Sequence, residues 1–555
     1  MHFEDLLAEA GGFGLYQKVL CFVLIPFTTG IVGLVYTCQL IILSVPRFRC
    51  DQNQSLETLI SAEGSAVLDT DVGHPQVLTS GLQGLDYEWD GSCEAGDSAP
   101  CRAWQYDYSN IFPTLASEEN WVCSSAWKPY SVITAFWIGN MIGAWCLGIV
   151  SDKFGRRPVV LICCLVYGVT GIASAFVRNF FAFMTVRMLA GSVHHTLSHL
   201  PYVMVIEFCE MDKRSVPLLA IMMTYTVATI IAPVIAYFIW DWQLFVIFTA
   251  APSLLIVLIY KWIPESATWL ITQNKLKMAA QQLHSISKVN RINLSETYLK
   301  HRISQLSNKE RHFINEDDIM LTTISREEDN EENVPHRDQV QPVVIVSVLK
   351  FPILRRQIGL VMVIWMVGCM CYYGHAQNTA NLGDDMLVSF FLGAAVEIPA
   401  WSTPWLIERF GRRPPLILAY SLSAATGIMY SGLVVLTASW PARVLGMLGR
   451  LTVTAAYYII YMALQYGPEV FPTVVRGQGV ALAETLGGAA IFISPLVVYL
   501  VKFYRGLPLL VFGLLGAAAA ILTIFLPETK NVALPSTLAG AEDAWRRGMR
   551  PRSQR

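Results

Sequence analysis

The stretch Asp152-Lys153-Phe154-Gly155-Arg156-Arg157-Pro158 recurs 256 positions later as Glu408-Arg409-Phe410-Gly411-Arg412-Arg413-Pro414. Each copy separates two long apolar runs, so the charges mark a short polar break between two buried segments. A charged sequence of this length is unlikely to be duplicated by chance in the same setting. The repeat therefore predicts that one structural unit is used twice in the chain.

Two further pairs support the same repeat. Glu207 precedes Arg214 by seven positions, as Glu469 precedes Arg476, and Pro264-Glu265-Ser266 matches Pro527-Glu528-Thr529. The pairs follow the first repeat in the same order in each half. Because both copies run in the same direction, the sequence predicts two six-helix halves in parallel topology.

The amino-acid composition indicates that these halves lie in a lipid bilayer. Of the 555 residues, 54% are hydrophobic and 15% are charged, whereas soluble domains carry roughly 25% charged residues. A bilayer span needs about 20 mostly apolar residues. We predict an all-α membrane protein with twelve transmembrane helices at 18–45, 130–150, 158–177, 180–204, 216–240, 243–263, 355–375, 386–406, 414–436, 441–466, 478–501 and 507–527.

Charge distribution predicts the orientation. The short breaks that contain the repeated motif and the tail at 528–555 are rich in arginine, which marks the cytoplasmic side. The segment 46–129 between the first two spans carries more carboxylates than basic residues and is predicted to be a large extracellular loop. Both termini are then cytoplasmic, as are the 1–17 segment and the 264–354 linker. The linker joins the N-terminal half, 18–263, to the C-terminal half, 355–527.

Four of the twelve cysteines lie in the predicted extracellular loop: Cys50, Cys93, Cys101 and Cys123. An oxidising environment favours disulfides there. Two bridges are expected, and the sequence leaves all three pairings open. Asn53 begins an acceptor sequon in the same loop, which predicts glycosylation.

The repeated motif, read with Gly148 four positions before Asp152, resembles the signature of the major facilitator superfamily. Cys101-x-x-Trp104, Pro264-Glu265-Ser266-x-x-Trp269 and Glu397-x-Pro399-Ala400 resemble its organic cation, organic anion and carnitine transporters. The resemblance implies the major facilitator fold and a conformational latch between the halves, with Gly148 allowing close helix approach. Its residues are Gly148, Asp152, Gly155, Arg156, Arg157, Glu207, Arg214, Glu408, Gly411, Arg412, Arg413, Glu469 and Arg476.

Span 11 departs from that family. The position seven residues before its Ser-Pro proline tends to be Asp in cation carriers and Arg in anion carriers, but here it is Gly488. Glu484 lies one helical turn away on the same face and could supply the missing carboxylate. The alternative is a helix-end ion pair of Glu484 with Arg476 or an arginine of the motif.

Glu397 is the first candidate for a substrate anchor, because a carboxylate deep inside a span is costly and usually functional. A free carboxylate in a cavity attracts an ammonium group, and its protonation could couple transport to pH. The alternative is a structural ion pair with Arg187 or Arg450. Those arginines could instead bind the carboxylate of a zwitterion, with Arg450 taken as a candidate binding residue.

Aromatic residues strengthen the expectation of a cation, because ring faces attract ammonium groups. The candidates are Trp137, Tyr372, Tyr373, Tyr457, Tyr458 and Tyr461. For each one alone, packing or lipid contact is the alternative. His195 and His199, one turn apart in span 4, could bind metal or relay protons. No third ligand is visible in the sequence, so packing is favoured and no metal site is assigned.

The sequence and the resemblance together predict a plasma-membrane transporter of small organic cations or zwitterions that works by alternating access. The alternatives are an organic anion transporter and a non-transporting receptor or sensor. Phosphate-loop and His-Glu-x-x-His motifs are missing from the sequence, so an enzyme is not expected. The expected partners are a small organic solute and the lipid bilayer, with a proton or sodium coupling ion left open. No cofactor and no nucleic acid are expected.

Overall fold

The computed structural model describes most of the 555-residue chain. The described residues are 3–51, 93–95, 99–101, 103–209, 213, 215–292, 294–305, 348, 350–436, 440–463, 476–530, 542 and 546. The predictions for Asn53, Arg214 and Glu469 lie outside these residues, and so does the side chain of Arg476.

Twelve helical spans follow one another along the described residues. In chain order, spans 1 to 12 are Leu15–Ile42, Cys123–Phe154, Arg156–Ser174, Phe180–Ile206, Ser215–Ile239, Trp242–Trp262, Pro352–Asn381, Met386–Phe410, Arg413–Val434, Trp440–Tyr461, Leu482–Lys502 and Leu507–Ile524. Eleven of them are both long and apolar enough to cross a bilayer. Span 4 is the exception. It has 27 residues, long enough to cross, but it contains Arg187 and three histidines.

A proline-containing turn interrupts span 8. Span 8 is helical at Met386–Ala395 and Thr403–Phe410, with a tighter turn at Ile398–Ser402 between them. Pro399 lies in that turn and has no N–H to donate to the helix. Glu397 stands directly before the turn.

Glycines allow spans 2 and 4 to pack closely. Side-chain carbons added at Gly139 or Gly143 would collide with the carbonyls of Met188 and Ser192. Small residues at such contacts let two backbones approach inside a membrane. Gly148 was expected to serve this purpose, and that expectation is wrong in this conformation. A carbon added there would meet no atom within 4 Å.

In the N-terminal half, the repeated motif at 152–158 is bound by Glu265, which belongs to the repeated sequence Pro264-Glu265-Ser266. Gly155 ends span 2 at φ 103°, a backbone angle that favours glycine. Glu265 Oε1 then accepts hydrogen bonds from the backbone N–H groups of Arg156 (2.8 Å) and Arg157 (3.3 Å). The Arg156 guanidinium lies 3.3 Å from Glu207 and 3.8 Å from Asp152. A carboxylate thus caps the positive end of span 3.

The C-terminal half repeats this arrangement. Gly411 has φ 89°, and Glu528 accepts hydrogen bonds from the backbone N–H groups of Arg412 (2.9 Å) and Arg413 (3.0 Å). Glu408 is exposed. In both halves the described partners of the motif belong to the same half. A latch between the halves therefore remains a prediction.

The four cysteines of the predicted extracellular segment form two disulfides, Cys50–Cys101 and Cys93–Cys123. Two short antiparallel ladders accompany them. Strand β1 (Phe48–Cys50) pairs with β4 (Trp104–Tyr106), and β2 (Glu94–Ala95) pairs with β3 (Ala99–Pro100). We call this end of the helix bundle the loop end and the opposite end, with the repeated motifs, the motif end.

The two halves touch at the loop end. Arg47 forms an ion pair with Asp384 of the other half. Lys502 Nζ donates to the Cys123 carbonyl at 3.0 Å, and the rings of Tyr130 and Tyr499 meet edge to face with centroids 5.3 Å apart. These contacts join the two halves on the loop side.

The start of the predicted linker is helical. Helices Ala267–Thr272 and Leu276–Val289 follow span 6. Asn290 fastens them to the N-terminal segment: its side chain accepts from the Tyr16 N–H at 2.9 Å and donates to Gln17 Oε1 at 3.0 Å. The first part of the linker therefore belongs structurally to the N-terminal half.

Candidate functional site

A cavity of about 940 Å³, its mouth included, lies between the two halves. Spans 1, 2, 4 and 5 supply one wall, and spans 7, 10 and 11 supply the other. Seven of the residues predicted from the sequence line it: Trp137, Tyr372, Tyr373, Tyr457, Tyr458, Tyr461 and Glu484. Substrate binding by these residues remains a prediction, but the structure brings all seven to one place.

Stacked rings form the wall from the C-terminal half. Tyr457 stacks on Tyr372 with centroids 4.4 Å apart and on Trp365 with centroids 5.5 Å apart. Tyr461 extends the stack at 5.8 Å from Tyr457. The ring faces carry partial negative charge, so this wall suits a positively charged or flat apolar group.

Trp365 was missed from the sequence, although a signal for it exists. It precedes Tyr372 in span 7 by seven residues, which is two helical turns, so both side chains share one face. Its indole N–H donates to the Ala483 carbonyl of span 11 at 2.9 Å. This hydrogen bond fixes the ring against the wall of the cavity.

The two halves meet through aromatic and hydroxyl groups around the cavity. Trp137 from span 2 packs edge to face on Tyr373 from span 7, with centroids 4.5 Å apart. The Tyr458 hydroxyl lies 3.3 Å from the Thr226 hydroxyl of span 5. These contacts join the two halves beside the cavity.

Glu484 lies in the wall of the cavity, as one of the two sequence hypotheses proposed. Its Oε2 is 3.0 Å from His195 Nε2, which belongs to the other half. His199 Nε2 is 3.3 Å from the Tyr461 hydroxyl. Gly488 also lines the cavity, and a carbon added there would lie 3.7 Å from Met141. The cavity therefore contains the Glu484 carboxylate next to the position where Gly488 replaces the charged residue of the family.

Glu397 is not a free cavity carboxylate, and the hypothesis that it is one is wrong. Its Oε1 accepts from Arg450 Nε at 3.0 Å and from Arg450 Nη2 at 2.6 Å, and only 1% of the Glu397 side chain is exposed. Arg450 also donates to the Thr379 hydroxyl at 2.7 Å. A carboxylate this deep requires a paired cation because burying it alone would be very costly. Arg450 is therefore occupied as well and does not line the cavity.

Arg187 is as deeply buried as Glu397 but does not neutralise it. Its guanidinium carbon lies 5.4 Å from the centroid of Phe183. Within the described part of the chain, its guanidinium nitrogens make no hydrogen bond. Arg187 does not line the cavity, so its predicted contact with a substrate carboxylate has no geometric support here.

Comparison with known proteins places this architecture in a family. The family model described as Major Facilitator Superfamily matches residues 124–495. The chain belongs to the major facilitator superfamily. It is 30% identical to organic cation transporter 1 of Caenorhabditis elegans over 447 residues, covering 80% of this chain and 72% of that protein. The relatives place it in the organic cation and carnitine transporter branch of the superfamily.

Two further relatives match at similar identity. The chain is 28% identical to an organic cation transporter-like protein of Drosophila melanogaster over 554 residues, with 98% of this chain and 93% of that protein covered. It is 29% identical to human organic cation/carnitine transporter 2 over 438 residues, with 78% and 73% covered. This superfamily consists of transporters and not enzymes, so the chain is a multi-pass membrane transporter.

The fold also matches a solved structure. The inward-open xylose transporter XylE of E. coli superposes with a TM-score of 0.56 at 16% identity, covering 94% of this chain and 99% of that one. At this identity the likeness concerns the fold alone. It agrees with the arrangement of twelve helices in two halves.

Proposed function

We propose that this major facilitator protein carries small organic cations across the plasma membrane by alternating access of the central cavity. The observation that carries the proposal is the charge of the cavity wall. Glu484 is its carboxylate, and neither lysine nor arginine is among the lining residues in the described part of the chain. An ammonium group would find one negative charge and several ring faces there, whereas an organic anion would find no basic counter-charge of that kind.

The names of the relatives agree with this chemistry, since they include organic cation and carnitine transporters. A zwitterion of the carnitine type would present its ammonium group to the same aromatic wall. Its carboxylate would need another anchor, because Arg450 is held by Glu397. The cavity therefore favours simple cations over zwitterions.

The proposed orientation follows the positive-inside rule. The motif end, with its arginines, faces the cytoplasm, and the disulfide-bonded loop end faces outward. Both termini are then cytoplasmic. Since the halves touch at the loop end, this conformation would be closed to the outside. A proton or sodium ion is the proposed coupling partner if transport is concentrative.

Uptake into cells that express the chain tests the proposal. Labelled tetraethylammonium, L-carnitine and benzoate represent a cation, a zwitterion and an anion. External pH and sodium are varied, and surface expression is measured in parallel. Saturable uptake of tetraethylammonium with little uptake of benzoate is expected. Saturable benzoate uptake without cation uptake would overturn the assignment, and absence of all uptake at normal surface expression would favour the receptor alternative.

A further inference from the structure

Three metal-ligating side chains converge where span 4 faces span 11. His195, His199 and Glu484 each offer one ligand atom, and these atoms all lie within 4.8 Å of one another. The imidazole rings of His195 and His199 are stacked with centroids 3.9 Å apart. The sequence shows the histidine pair but not its third member, because Glu484 lies 289 positions away in the chain.

The donor set matches the preference of a borderline transition metal. Zinc binds imidazole nitrogen and carboxylate oxygen at about 2.0–2.2 Å, usually with tetrahedral geometry. Tetrahedral bonds of that length place ligand atoms about 3.3–3.6 Å apart. The His195–Glu484 separation is 3.0 Å and the three ligand atoms all lie within 4.8 Å of one another, so a zinc ion would require the stacked imidazole rings to turn toward it. Two histidines one helical turn apart are also a common arrangement in zinc sites.

The surroundings also suit a metal. The side chains of His195 and Glu484 are 25% and 20% exposed, so an ion can reach them from the cavity. The Tyr461 hydroxyl lies 3.3 Å from His199 Nε2 and could orient that ring or join the coordination sphere. Outer partners of this kind fix the orientation of a ligand ring.

We propose that His195, His199 and Glu484 form a Zn²⁺ site that joins the two halves of the transporter. Three protein ligands leave a fourth coordination position for water or for a group in the cavity. The histidines belong to the N-terminal half and the glutamate to the C-terminal half. A bound ion therefore holds span 4 against span 11.

The consequence for transport rests on the proposed function. A ligand stabilises the conformation that it binds, so zinc holds the protein in the state in which these spans are close. The ion also occupies Glu484, the proposed anchor for the cationic solute. Zinc is thus expected to inhibit uptake without entering as a solute.

Direct binding to the purified full-length protein in nanodiscs tests the site without any transport assay. After removal of the affinity tag and treatment with chelator, Zn²⁺ is titrated calorimetrically, with Mg²⁺ as the comparison ion. We expect one zinc per chain and at least about a tenfold rise in Kd for His195→Ala, His199→Ala or Glu484→Gln, because each change removes a ligand. His301→Ala, an exposed histidine of the linker helix at 296–305, is the matched control and should bind zinc as the wild type does.

A second measurement on the unaltered protein guards against misfolded variants. Co²⁺ replaces Zn²⁺ in such sites, and a tetrahedral set gives intense visible absorption that Zn²⁺ abolishes. Absence of that spectrum together with absence of saturable zinc binding would overturn the proposal. Zinc binding that survives the three ligand variants but is lost in Cys369→Ser would also overturn it, because Cys369 is a thiol in the same cavity.

The two proposals fail separately. Zinc binding by these residues in a protein that takes up no cation would contradict the proposed function and leave the metal site intact. Cation uptake by a protein that binds no zinc would leave the function intact and remove the metal site.

Discussion

Glu397→Leu would leave the Arg450 guanidinium in the interior of the C-terminal half without its carboxylate. The pair is closed by contacts of 2.6 and 3.0 Å, and the two side chains are 1% and 8% exposed. Removing one partner of such a buried pair costs about 3–5 kcal/mol. A change of about 1.4 kcal/mol corresponds to a tenfold change in an equilibrium constant. The ratio of folded to unfolded protein should therefore fall by a factor of roughly 100 or more.

The double change Glu397→Leu with Arg450→Met distinguishes a structural pair from a binding site. It replaces both charges with apolar groups, which is often neutral or stabilising for a buried pair. The unfolding temperature of the purified protein and the fraction of protein at the cell surface should both fall in each single variant. Both should recover in the double variant. A Glu397→Leu protein with normal unfolding temperature and surface level but no cation uptake would refute this reasoning.

Three further changes test other parts of the structure. Glu265→Ala removes the acceptor of two backbone N–H groups, so it should destabilise the start of span 3 by about 1–3 kcal/mol. Hydrogen exchange of these amides should become faster. Unchanged exchange would contradict the proposed cap. Gly488→Asp should lower the KM for tetraethylammonium severalfold relative to Gly488→Asn, because it places a second carboxylate in the cavity; equal KM values would argue against an electrostatic site. Cys50→Ser and Cys101→Ser should each reduce surface expression, and the double variant should reduce it no further, because both changes break the same bridge. Cys50→Ser combined with Cys93→Ser should reduce it more, because two bridges are lost. Additive effects of Cys50→Ser and Cys101→Ser would exclude the Cys50–Cys101 bridge.

The fold could be predicted from the sequence because two signals do not depend on how each helix is rotated. They are the length of the apolar segments and the repeated charged motifs between them. Span 4 was found in this way despite its polar residues, since its length and flanking breaks matched the repeat. The structure adds that Glu265 and Glu528, noticed only as repeated positions, cap the helices that begin at the repeated arginines.

The chemistry of the site was harder to predict, because it depends on the direction in which each side chain points. The sequence favoured a free Glu397 over a paired one, whereas in the structure that carboxylate accepts hydrogen bonds from Arg450. The choice between a helix-end and a cavity position for Glu484 also required the position of His195 in span 4, which lies 3.0 Å from that carboxylate. Long-range pairs such as His195 with Glu484 leave no local signal in a single sequence.

Glu484 is the centre of the functional account, and its charge can be removed with little change of shape. Uptake of labelled tetraethylammonium by purified protein in liposomes, compared between wild type and Glu484→Gln, measures its contribution most directly, with the exposed linker carboxylate variant Glu296→Gln as the control. A hydrogen-bonded charge contact contributes about 1.5–3 kcal/mol, so the KM should rise roughly 10- to 100-fold. Normal KM and maximal rate in Glu484→Gln would contradict the account.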